Sequence, residues 1–121
     1  MRTTITIGSQ EVTLEANAGT PIRYRNVFGR DLLTLIHEGT KEDGIDLTVA
    51  SEVAPELAYV MAKTAEKADM SKINKNEWLT WLEQFEPLDL INATEEIFGA
   101  YFGDAMTNVE PKKKERKQSA S

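Results

Sequence analysis

Polar and apolar residues alternate at the start of the chain. Thr4-Ile5-Thr6-Ile7 and Glu11-Val12-Thr13-Leu14-Glu15 each repeat with period two, and Gly8-Ser9-Gln10 between them supplies a turn. The pattern predicts a β-hairpin with Ile5, Ile7, Val12 and Leu14 facing inward. Two strands alone are marginal in water, so the hairpin must lie on helices or pair with another chain. The period then lengthens. Thr20-Pro21 reads as an N-cap followed by proline at the first helical position. Tyr24, Phe28, Leu32, Leu35 and Ile36 fall on one side of a helix over 20–37, with Leu33 beside them. Gly29 inside that helix costs about 1 kcal/mol relative to alanine, which suggests a close backbone approach there. Gly39 ends the helix, and Lys41-Glu42-Asp43-Gly44 reads as a loop.

The longest helical pattern runs from Ser51 to Ala68. Val53, Leu57, Val60 or Met61, Thr64 and Ala68 form one stripe, while Ala54, Ala58, Ala62 and Ala65 keep the other sides slim. Ser51 is the expected N-cap, which puts Pro55 near the first turn, where a missing N–H matters least. Asn74 and Glu77 have capping-box spacing, with Ile73 and Trp78 placed as a hydrophobic staple. Trp78, Trp81, Leu82 and Phe85 then mark a helix over 75–85. Pro87 stops it and opens another over 87–106, which presents Leu90, Ile91, Thr94, Ile97, Phe98, Tyr101, Phe102 and Met106. The expected fold is therefore mainly α (α+β): an N-terminal β-hairpin, about four helices and a disordered basic C-terminal tail. A single helical domain with its hairpin spans 1–108, and the charged tail spans 109–121.

Composition narrows the chemistry. A chain of 121 residues with 40% hydrophobic and 28% charged residues suits one soluble core. There is no cysteine, so disulfides and thiolate metal sites are excluded. No run approaches the roughly 18 apolar residues of a membrane span, and MRTTITIG lacks a signal-peptide core, so a cytoplasmic protein without a membrane partner is expected. Lys112, Lys113, Lys114, Arg116 and Lys117 against Glu110 and Glu115 give the tail +3, so the rest carries −9 of the total −6. An acidic body argues against nucleic acid as the main partner.

No stretch reads as a reaction centre. His37, the single histidine, has Asp31 and Glu38 near it in sequence, but a residue favourable to the dipole of a helix end is the simpler account. Counting a calcium loop from Gly44 as its sixth position puts Gly39, Lys41 and Ala50 where ligands belong. Glu95-Glu96 lacks the histidines of a zinc helix. No enzyme, metal or cofactor is expected. Gly99 and Gly103 have the GxxxG spacing of a close helix contact. Aromatic residues at helical spacing are most simply core, yet two tryptophans on one short helix exceed what a small core hides. Trp78, Trp81, Phe85, Tyr101 and Phe102 are therefore the candidate partner-binding residues, for a protein partner or a homo-oligomer.

Three segments carry a family resemblance: TITIGSQEVTLEA, TPIRYRNVFGRDLLTLI and WLTWLEQFEPLDLINATEEIFGAYFG. In this order they resemble the tail assembly chaperones of long-tailed bacteriophages and prophages of Gram-positive bacteria, over about residues 3–106. Tyr24-Arg25 followed by Phe28-Gly29-Arg30-Asp31-Leu32-Leu33 carries most of the likeness. The resemblance implies a non-enzymatic chaperone that binds the tape measure protein, keeps it soluble in the host bacterial cytoplasm and is absent from the mature virion. It also implies a longer form, made by programmed frameshift, that recruits the tail-tube protein. Lys112 to Lys114 would be the slippage site, because adjacent lysine codons are A-rich. Two other readings fit the residues alone: a structural tail-completion or connector protein, and a small helical protein-binding adaptor.

Overall fold

The computed structural model describes residues 2–41 and 44–103. The expected tail, Met106, and Glu42 and Asp43 of the acidic loop lie outside the described residues. Strands β1 (Arg2–Ile7) and β2 (Gln10–Glu15) form the hairpin, in antiparallel register from Arg2 opposite Glu15 to Ile7 opposite Gln10. Gly8 closes it at φ 63°, a conformation that glycine adopts at no steric cost. Ile7 and Leu14 are fully buried, and Ile5 and Val12 are half-buried against the same core. The hairpin thus lies on the helices with its alternation intact.

Helices α1 (Thr20–Phe28) and α2 (Leu32–Gly39) replace the one helix expected over 20–37. Gly29 ends α1 in the left-handed region at φ 72°, its N–H bonded to the Arg25 carbonyl. Asp31 then caps α2 by accepting from Leu33 and Thr34 N–H. Gly29 therefore serves a positive φ and not a close approach, since a Cβ there would meet nothing within 4 Å. The close approach falls at Gly39, where a Cβ would sit 2.8 Å from Val49. A small antiparallel pair, β3 (Thr40–Lys41) with β4 (Gly44–Ile45), follows where only a loop was expected.

Helix α3 (Leu47–Ala65) is the centre of the molecule; β2 and all five other helices pack against it. Every residue from Glu56 to Ala62 is buried, so its apolar character wraps the helix and does not form a single stripe. Ala54, Ala58 and Ala62 are 0%, 0% and 2% exposed, which lets neighbours close in from several sides. The helix starts four residues before the expected Ser51 because Asp46 is its cap, accepting from Thr48 N–H at 2.8 Å and Val49 N–H at 3.4 Å. Ser51 lies inside and turns its hydroxyl back to the Thr48 carbonyl. Pro55 is consequently an interior proline and leaves the Ser51 carbonyl without its helical donor.

A 3₁₀ turn (Met70–Lys72) leads to α4 (Lys75–Leu82), capped as expected by Asn74, which accepts from Glu77 N–H at 2.9 Å. The last expected helix is two: α5 (Asp89–Asn92) and α6 (Thr94–Phe102). At the break the Thr94 hydroxyl turns back onto the preceding turn, donating to the Ile91 carbonyl at 2.8 Å and reaching the Leu90 carbonyl at 3.3 Å. The kink leaves Ile91 exposed, contrary to its inward placement by spacing. Gly99 is not a packing notch, since a Cβ there would meet nothing within 4 Å; Gly103 at φ 58° closes α6 by bonding the Gly99 carbonyl.

The two candidate caps of α3 predict opposite outcomes. Asp46→Ala should destabilise the protein by about 1 kcal/mol in urea unfolding, whereas Ser51→Ala should stay within about 0.5 kcal/mol of wild type.

Candidate partner-binding site

The five aromatic residues singled out by sequence are all half-buried, with one side on the core and the other toward solvent. They form separate groups. Trp78 stands edge-on to Phe28, with centroids 5.0 Å apart, and its indole N–H donates to the Pro55 carbonyl at 3.2 Å. That bond ties α4 to α3 beside the interior proline, so Trp78 is chiefly a strut. Trp81 packs on Tyr59 at 5.6 Å and on Phe85 at 5.0 Å, both edge-on. Tyr101 and Phe102 meet at 5.1 Å at the end of α6, where Phe102 also stacks on Phe98. Burial pushes the Tyr101 phenol above its ordinary range. Among the described residues no ring contact joins the Trp81–Phe85 group to the Tyr101–Phe102 group.

Periodicity overlooked the aliphatic part of this surface. No residue of α4 is buried, and Leu79 on its outer side is 55% exposed. Leu88 is 64% exposed and Ile91 44%, and Met70 before α4 is open too. Among the described residues, four of the seven exposed large apolar side chains thus fall within Met70–Ile91, the same stretch that holds Trp81 and Phe85. Leu79 lies one residue from the Trp78 spacing, about 100° round the helix and off the face that turns inward, which is the signal that identifies it.

A second cluster had no notice in the sequence reading. Glu56 is 8% exposed within α3, and its carboxylate accepts from the Tyr24 hydroxyl and pairs with the Arg30 guanidinium. Arg30 also reaches Glu52 at 3.1 Å, bridging two carboxylates one helical turn apart. Burial, and then the bond to Glu56, push the Tyr24 phenol far above its ordinary range, so it stays a protonated donor. The consequence of the cluster is mechanical, joining α1 and the Arg30 link to α3. A glutamate at the spacing of the Val53–Val60 stripe was its one sequence signal.

His37 is exposed in the last turn of α2, as its dipole reading implies. Among the described residues, no helix is long and apolar enough to cross a membrane. Comparison of the chain with protein-family models, curated proteins and solved structures returns no match.

Trp78 and Trp81 should separate on mutation. Trp78→Phe keeps the ring contact but loses the bond to Pro55, and should cost about 1 kcal/mol in chemical denaturation. Trp81→Ala removes a half-buried ring and should cost roughly half of the 3–5 kcal/mol that truncating a fully buried aromatic does.

Proposed function

We propose that this protein is a tail assembly chaperone of a long-tailed bacteriophage or prophage, which binds the tape measure protein and keeps it soluble in the bacterial cytoplasm during tail morphogenesis. It acts by binding and not by catalysis. The supporting observation is the concentration of exposed apolar side chains in Met70–Ile91, beside the half-open rings of Trp81 and Phe85. A short helix with no buried residue can lay its open side along an apolar stretch of a helical partner without disturbing the core. The net charge of −6 favours separation of the loaded complexes in solution. The order of hairpin and helices, and the Tyr24–Leu33 segment, support the family reading. In that reading a longer form carries an added domain that recruits the tail-tube protein.

Leu79→Ser with Leu88→Ser tests the surface without touching the core. Co-expressed with the tape measure chain encoded in the same tail operon, the double variant should leave several-fold less of it soluble. Its own melting temperature should stay close to wild type, since surface changes usually stay within about 0.5 kcal/mol each. Equal solubilisation by wild type and variant would remove this surface from the function. Detection of the protein in finished particles would favour a tail-completion or connector role instead.

The longer form has its own check. Synonymous recoding of Lys112, Lys113 and Lys114 in the native gene should abolish the extended product and leave the short one unchanged. Persistence of the product after recoding would move the slip away from these codons.

A further inference from the structure

The hairpin has a free edge on each strand, and the two edges differ. With a two-residue turn at Gly8-Ser9, Ile7 and Gln10 are the closing hydrogen-bonded pair. Ladder bonds then alternate through Ile5 with Val12 and Thr3 with Leu14. The main-chain groups of Arg2, Thr4 and Thr6 therefore point away from β2, and those of Glu11, Thr13 and Glu15 point away from β1. Among the described residues, no group hydrogen-bonds the outward main chain of Thr4 or Thr6. The β1 edge also lacks proline, lysine and a bulge, the usual guards against strand addition.

We propose that the β1 edge docks a second copy of this chain, giving a four-stranded antiparallel sheet, ordered β2-β1-β1-β2, across two subunits. Charge selects the edge and the occupant. Two-fold pairing centred on Thr4 sets Thr4 against Thr4 and Arg2 against Thr6, with no like charges opposed. The same operation on β2, centred on Thr13, would set Glu11 against Glu15, which is repulsive. Arg2 of the second copy arrives beside Thr6, where a cleft of about 260 Å³ lined by Thr6, Gly8, Asp89, Asn92 and Ala93 opens. Asp89 offers the arriving guanidinium an opposite charge. Arg2 uses one nitrogen on Glu15, across its own hairpin on β2, at 2.7 Å, and keeps donors to spare. Pairing satisfies the outward groups of Arg2, Thr4 and Thr6 on both chains with about six hydrogen bonds. It also sets half-buried Ile5 across from Thr3 of the second copy on the inner face.

Sedimentation equilibrium of the full chain should show a dimer in exchange with monomer. Thr4→Glu and Thr4→Lys each place like charges at the two-fold axis, on an exposed position, and should each raise the dimer dissociation constant about fivefold or more. An equimolar mixture of the two should restore association, because the axis then pairs glutamate with lysine. In hydrogen exchange, the Thr4 and Thr6 amides should be protected at high wild-type concentration and unprotected in either variant alone. Glu11→Lys, on the other edge, should not weaken the dimer. Circular dichroism of each variant establishes that it is folded. A wild type that stays monomeric throughout overturns the proposal, as does a dimer indifferent to both Thr4 variants or a mixture that fails to re-associate. The partner-binding surface is read separately through Leu79→Ser, since Leu79 lies on α4 and is not among the residues of that cleft.

Discussion

Burial of α3 on nearly all its sides is the constraint on which the other elements depend. A helix apolar around its circumference gains nothing from forming alone in water and must be enclosed. The alanines at 54, 58 and 62 make enclosure geometrically cheap by letting helices and hairpin approach. Each surrounding element is short, and β2, α1, α2, α4, α5 and α6 all touch α3. The hairpin, too small to persist alone, is held by the same burial through Leu14 and Ile7.

Glu56 is the polar exception inside that core. A carboxylate taken from water must be paired, and Tyr24 and Arg30 supply a neutral donor and a cation from α1 and the link after it. Both partners must reach α3 together, which sets how α1 sits on the central helix. The turn at Gly29 is part of the same arrangement, because ending α1 in the left-handed region redirects the chain at Arg30, while Asp31 starts a new helix. The segment from Tyr24 to Asp31 thus supplies both partners of Glu56 and the turn between them.

The periphery is less enclosed. α4 rests on α3 through the edges of Trp78 and Trp81, with its outer side open, and α5 is a single turn. The apolar groups exposed there come from a region that contributes little burial to the fold. A binding surface built on such a region can adapt to a partner at small cost to the core. The hairpin edge differs in kind: its open groups are main-chain, so geometry and charge, not apolar area, decide what fits it.

Local periodicity determined much of this protein in advance. The hairpin and its inward residues, the central helix, the Asn74 cap and the aromatic positions all follow from spacings of two and of three to four, which are properties of neighbouring residues. Tertiary structure alone decided where helices break and which side chains stay open. Gly29 and the break at Ala93 interrupt patterns that are apolar straight through, because a change in the backbone's course leaves hydrophobic spacing unchanged. Asp46 outcompeted Ser51 as a cap once the packed helix made its earlier start favourable. Glu56 met Tyr24 and Arg30 across 32 and 26 residues, and Leu79 stayed outside while Trp78 turned in. Those outcomes depend on which surfaces meet around α3, and burial at a distance leaves no mark on local spacing.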